Sequence, residues 1–179
     1  FQGQQNLVCD IGGGSTELVL GAGAEPASVR SLRLGAIRTT QRFFPNGVTS
    51  KKAVRHARAW VRDQLAPWAA ESLTLPPERF IATSGTSAML FAMARARRSV
   101  GEVLRTGDEI SAEELRTVID ELLGAPTPED RVALPGLEAP RADIITGGSF
   151  ILEAVTDLAG ASSWVYSDAA LREGVLVDL

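Results

Sequence analysis

The chain has very little of the residue types that announce chemistry by themselves. Its one cysteine, Cys9, cannot make an internal disulfide, which fits a reducing compartment. Its one histidine, His56, lies among Arg55 and Arg58 on a helical stretch and reads as a surface residue. With so few of either, no metal-binding Cys/His array can be assembled. No apolar run approaches the roughly 20 residues of a membrane span, and no signal peptide is visible. Internal repeats and low-complexity tracts are missing as well. Positive charge is in deficit: 18 Lys and Arg stand against 22 Asp and Glu, a net charge of -4 that argues against a generic nucleic-acid binder. Any anionic ligand must therefore be met locally, by a metal ion, backbone dipoles and a few arginines.

What is present is 179 residues with 45% hydrophobic content, enough for one domain with a real core. The chain is organised around Asp10-Ile11-Gly12-Gly13-Gly14-Ser15-Thr16-Glu17. The apolar runs Leu7-Val8-Cys9 and Leu18-Val19-Leu20 flank it and predict a tight hairpin with a triple-glycine tip. Strand alternation puts Val8 and Asp10 on one face of the first strand and Glu17 with Val19 on one face of the second. Two carboxylates then bracket a loop whose bare N–H groups can close around an anion. Alone they would repel a phosphate, so the pair implies a divalent cation, Mg2+, between them and the ligand. The competing reading is a plain glycine turn with Asp and Ser as ordinary turn residues. Against it stand Glu17 at its fixed spacing and Asp10 on an apolar strand, where an unpaired charge is costly. Cys9 points away from Asp10, as a small core residue.

Elsewhere, Phe1-Gln2-Gly3 matches the end of a protease-cleavable tag and is set aside, which leaves 4–179. Gly21 to Pro26 is a turn, Ser28 to Leu34 a third strand ended by Gly35. A short helix then carries Arg38 and Arg42 on one face, either reaching an anion or simply solvated. Lys51 to Leu65 is an amphipathic helix (Val54, Val61, Leu65 and Trp68) that Pro67 should end or kink. The strand Phe80-Ile81-Ala82 runs into Thr83-Ser84-Gly85-Thr86 and a helix through Met89, a place where free N–H groups accept an anion or Ser84 or Thr86 caps the helix. Arg95, Arg97 and Arg98 form a basic cluster that could track an extended anion or close a helix end. Ser111 to Glu114 is a capping box for a helix through Leu122, stopped by Gly124, and Thr127-Pro128 opens a short one. Ala142 to Thr146 reads equally as a strand or as the first turns of the helix through Phe150 and Leu158. Ser163 to Tyr166 is a strand, followed by a helix or turn with Arg172-Glu173-Gly174.

The segment Asp10 to Leu18 resembles the second phosphate motif of the Ppx/GppA family, the exopolyphosphatases and guanosine pentaphosphate phosphohydrolases of the actin–sugar kinase–chaperone superfamily. Ser31 to Arg38 with Arg42-Phe43, Ser84-Gly85-Thr86, Arg141-Ala142-Asp143 leading to Gly147, and Leu171-Arg172-Glu173-Gly174 also resemble family segments, in the family's order. The resemblance implies an α/β, RNase H-like lobe of the actin-like ATPase superfamily. Its mixed five-stranded sheet would have helices against both faces, and its elements run β-β-β-α-α-β-α-α-α-β-α. It implies hydrolysis of the terminal phosphoanhydride of inorganic polyphosphate or of pppGpp by in-line attack of water. Asp10 and Glu17 would be the catalytic, metal-holding pair and Mg2+ the cofactor. Gly12, Gly13 and Gly14 would donate backbone hydrogen bonds to phosphate and Ser15 its hydroxyl, with Ser84, Gly85, Thr86, Gly147 and Gly148 lining the rest of the pocket.

The family's first phosphate motif and its general-base glutamate belong to an amino-terminal lobe that nothing in the chain matches. The expectation is therefore an excised second lobe that folds and binds but does not turn over substrate alone. Its partners would be polyphosphate or guanosine pentaphosphate and the missing amino-terminal lobe, in a cytoplasmic protein that could form a homodimer when full length, with no nucleic acid and no membrane. An alarmone- or nucleotide-sensing module and an actin-like ATPase lobe are the alternatives. The actin-like hairpin usually ends in Thr/Asp rather than Ser-Thr-Glu.

Overall fold

Hydrophobic alternation builds the centre of the molecule as expected. In β1 (Asn6–Ile11) Leu7, Cys9 and Ile11 are buried while Asn6, Val8 and Asp10 are half-buried, and β2 (Thr16–Gly21) repeats the pattern with Thr16, Leu18 and Leu20 inside. The computed structural model describes residues 4–22, 26–98 and 103–169, so Phe1-Gln2-Gly3 and Leu171-Arg172-Glu173-Gly174 lie outside the described residues. β3 (Ser28–Leu32) completes an antiparallel meander, and β4 (Arg79–Thr83) and β6 (Ser163–Ser167) extend it in parallel to β1. The order across the sheet is β3-β2-β1-β4-β6-β5. This is the mixed α/β, RNase H-like arrangement, but with six strands rather than five. The addition is β5 (Glu109–Ser111), three residues antiparallel to β6, too short to show an alternation in sequence.

The helices are α1 (Ala36–Phe43), α2 (Lys51–Ser72), α3 (Ser84–Arg98), α4 (Ala112–Gly124), α5 (Pro128–Val132) and α6 (Ile145–Ala159). The capping box read at Ser111 to Glu114 opens α4, and the short helix expected at Thr127-Pro128 is α5, where the structure adds a second box of Thr127 with Asp130. Pro67 neither ends nor interrupts α2, which continues to Ser72. Its ring lies on the exposed side, and the next residue, Trp68, is 2% exposed in the core. Burial of an indole offsets the roughly 3 kcal/mol cost of an interior proline. The open question at 142–146 resolves in favour of helix, since α6 starts at Ile145, and Gly160 ends it in the left-handed region at φ 69°.

Among the described residues the helices cover one face of the sheet, not both. Leu7, Cys9, Leu18, Leu20, Phe80, Ala82 and Trp164 join the helices' apolar side chains in one core. On the opposite face the strand register sets two rows side by side. One is aliphatic: Val29, Val19, Val8, Ile81 and Val165. The other, one pleat closer to the glycine tip, is polar: Ser31, Glu17, Asp10, Thr83 and Ser167.

Candidate functional site

The hairpin tip, Gly12 to Ser15, sits over the start of α1. Gly12 N–H donates to Ser15 O (2.9 Å), which curls the tip back on itself. Three consecutive carbonyls then face α1: Gly12 O accepts from Ala36 N–H (3.0 Å), Gly13 O from Ile37 and Arg38 N–H (2.9 and 3.2 Å), and Gly14 O from Arg38 Nε (3.1 Å). The loop thus satisfies the N–H groups that the first turn of a helix leaves without partners, and α1 has no side-chain cap. Because a trans peptide unit points its C=O and the following N–H in opposite directions, the amides of Gly13, Gly14 and Ser15 face away from α1. Among the described residues none of the three finds an acceptor. A run of bare, outward amides has the geometry to cradle an anion. The Gly12 amide, expected among the donors, is engaged within the loop, while the Ser15 amide faces outward with those of Gly13 and Gly14.

Gly35 makes this approach possible. A Cβ there would sit 2.5 Å from Gly13 O and 2.6 Å from Gly13 C, so only a bare residue lets α1 reach the loop. In sequence Gly35 looked like a strand stop. Its packing role depends on partners 21 and 22 residues away, Gly14 and Gly13.

Asp10 and Glu17 are cross-strand partners on the open face, half-buried, directly below the tip. Glu17 Oε1 accepts from Ser31 Oγ (2.7 Å), a neighbour that follows from register and that sequence reading passed over. Like charges placed directly opposite on a sheet are unfavourable, and no described cation pairs with either carboxylate. Behind them, burial first and the Asp10 and Glu17 charges second push the Cys9 thiol far above its ordinary range. We therefore expect Cys9 to resist a maleimide in the folded chain and to label fully in denaturant. Labelling at a free-thiol rate in buffer would contradict this burial.

The other expected ligand residues make contacts within the fold. Ser84, at φ 75° the one positive-φ non-glycine among the described residues, does not cap α3; its Oγ donates to Ile11 O (2.7 Å) and ties the β4–α3 junction to the end of β1. Gly85 leaves the space in which the half-buried Arg141 guanidinium lies, a contact that sequence separation concealed. Thr86 is buried against Gly148. Gly147 and Gly148 are buried too: a Cβ on Gly147 would meet Thr40 Oγ1 at 2.5 Å and Ala36 O at 2.7 Å, and one on Gly148 would meet Thr86 Cγ2 at 2.5 Å. These glycines serve the close packing of α6 against α1 and α3. Among the arginines, Arg42 stacks over Trp60 (5.0 Å), while Arg95, Arg97 and Arg98 pair with Asp108, Glu121 and Glu114. That basic cluster is structural.

An amide cradle at the tip of a β1–β2 hairpin, above paired carboxylates in a 3-2-1-4 mixed sheet, is the arrangement against which known proteins can be compared. The family model described as "Ppx/GppA phosphatase family" matches residues 1–179. The chain belongs to the Ppx/GppA phosphatase family. It is 30% identical to exopolyphosphatase 2 of Mycobacterium tuberculosis over 97% of this chain and 55% of that protein. With exopolyphosphatase 1 of Mycobacterium bovis it shares 33% over 96% of this chain and 49% of that one. Among solved structures, an exopolyphosphatase from Cytophaga hutchinsonii superposes with a TM-score of 0.85 at 26% identity, covering 97% of this chain and 56% of the other. The Aquifex aeolicus PPX-GPPA enzyme gives 0.83 at 25% identity, covering 100% and 58%. The chain thus spans about half the length of the Ppx/GppA relatives it matches.

Proposed function

We propose that this chain is the phosphate-binding lobe of an exopolyphosphatase acting on the terminal phosphoanhydride of inorganic polyphosphate, with pppGpp as the second substrate to test. The observation that supports this reading most directly is the juxtaposition of three outward amides, Gly13 to Ser15, with the opposed carboxylates of Asp10 and Glu17. Amides without acceptors suit the non-bridging oxygens of a phosphoryl group and strengthen as charge develops on them. The carboxylates would repel that group without a cation.

Mg2+ fits this donor set. Two carboxylates supply hard oxygens, no described cluster of three or more acidic, His or Cys side chains offers a closed cage, and Mg2+ is commonly held by one or two carboxylates plus substrate phosphate and water. Asp10 and Glu17 would hold it, and it would neutralise charge on the phosphate oxygens. Ser31 orients Glu17, and the tip positions the terminal phosphoryl group; no described side chain at the site other than the carboxylates could act as a general base. The 179-residue chain is therefore expected to bind without hydrolysing.

Calorimetric titration with inorganic polyphosphate tests the reading. Binding should appear with Mg2+, vanish with EDTA and fall at least about tenfold in Glu17→Gln. The same substitution should raise the metal-free unfolding free energy by about 0.5 kcal/mol, because it removes one of two facing charges. Equal binding with and without Mg2+, or Mg2+-dependent phosphate release by the chain that Glu17→Gln abolishes, would refute the corresponding part.

A further inference from the structure

The first turn of α1 carries a cation where the helix field disfavours one. Arg38 is its third residue, and the turn holds no acidic side chain. Positive charge at a helix N-terminus is unfavourable. Arg38 is exposed, and among the described residues its guanidinium makes a single hydrogen bond, from Nε to Gly14 O at 3.1 Å. Its backbone N–H donates to Gly13 O at 3.2 Å. One residue thus holds two successive carbonyls of the tip.

The consequence follows from peptide geometry. With Gly13 O and Gly14 O drawn to α1, the N–H groups of Gly14 and Ser15 must face outward. The first of these peptide planes has a second anchor in Ile37 N–H, but the Gly14–Ser15 plane has only Arg38. Gly14 is exposed, and nothing lies within 4 Å of its absent Cβ. A glycine peptide released from its only anchor turns at little steric cost. Turned, it would present a carbonyl oxygen to an anion instead of an amide.

We propose that Arg38 is a positioning residue, whose Nε fixes the Gly14–Ser15 peptide plane and so pre-organises the cradle for a phosphate chain. The identity of the ligand rests on the function proposed above; the hold on the loop does not. Pre-organisation contributes to affinity by removing the ordering cost at the moment of binding.

Two substitutions separate position from charge. Glutamine carries its amide nitrogen at the same number of bonds from the backbone as Nε of arginine, so Arg38→Gln keeps a donor and removes the charge. Arg38→Met removes both. Inorganic tripolyphosphate with Mg2+ is titrated calorimetrically into each chain, and backbone amide resonances are recorded without ligand. Arg38→Met should bind about tenfold more weakly and shift the Gly14 and Ser15 resonances, whereas Arg38→Gln should stay within about threefold of the parent chain with both resonances in place. The proposal is overturned if Arg38→Met matches the parent in both readouts, or if Arg38→Gln binds as poorly as Arg38→Met. Failure of the parent chain to bind tripolyphosphate would refute the proposed function, while the ligand-free resonances would still decide whether Arg38 holds the loop.

Discussion

Replacing Arg131 with methionine should cost about 3–5 kcal/mol of unfolding free energy, a large share of the 5–15 kcal/mol typical of a whole domain. Arg131 is 0% exposed, and among the described residues no carboxylate accepts a hydrogen bond from it. Its guanidinium donates instead to four carbonyls: Ala125 O at 3.0 Å from Nε, Ala142 O at 2.7 Å from Nη1, and Gly47 O and Pro126 O at 2.7 and 2.9 Å from Nη2. These belong to the α1–α2 loop, the α4–α5 connection and the approach to α6, so a single side chain from α5 joins three separate stretches. Burial pushes its pKa down, while the Asp130, Asp143 and Glu129 charges pull it back. It stays protonated across any pH at which the fold survives. Methionine fills the space but leaves buried acceptors without donors. Lysine should recover less than half of the loss, because one ammonium cannot match a planar fork of donors. Urea unfolding checks both. A loss below about 1 kcal/mol for Arg131→Met would show that water satisfies those carbonyls.

Gly35→Ala is the second large effect, and its test lies in an ordering. The φ of Gly35 is -152°, ordinary for any residue, so backbone strain plays no part. The obstacle is contact: the added methyl would meet Gly13 and Gly14 main chain at 2.5 to 2.7 Å, and main chain cannot step aside as a side-chain end can. Relief requires α1 to withdraw from the tip, breaking the bonds from Ala36, Ile37 and Arg38 together. A loss of about 2–4 kcal/mol is expected, together with loss of polyphosphate binding. Gly13→Ala meets only the Ile37 side chain, Cδ1 at 2.8 Å and Cγ1 at 3.2 Å being nearest, and should cost less. Gly14→Ala meets nothing within 4 Å and should leave folding within about 0.5 kcal/mol of the parent. Melting curves that place Gly14→Ala below Gly35→Ala would reject this account of the loop.

Much of the fold was legible because its signals are local. Alternation in Leu7-Val8-Cys9-Asp10 set the faces of β1, the capping box at Ser111 marked the start of α4, and Thr127-Pro128 marked that of α5. Pro67 does not end α2 because propensity competes with burial, and Trp68 outweighs it. The three residues of β5 exist through their pairing with β6, which no local pattern contains. At the site, the position of Asp10 opposite Glu17 followed from hairpin register. The duties of the glycines did not. Gly35, Gly147 and Gly148 look alike in sequence to Gly13 and Gly14, yet the first three admit neighbouring backbone or side chains and only the last two present amides outward. What separates them is the partner across the fold.

Because the hairpin tip serves as the cap of α1, the helix records the condition of the loop from behind. The amide hydrogens of Ala36, Ile37 and Arg38 are shielded only while the tip keeps its folded shape. Their deuterium uptake is thus a gauge of loop opening that needs no ligand and no probe at the cradle itself. Loop excursions and fraying of the first turn of α1 become one event, with one opening free energy shared by all three hydrogens.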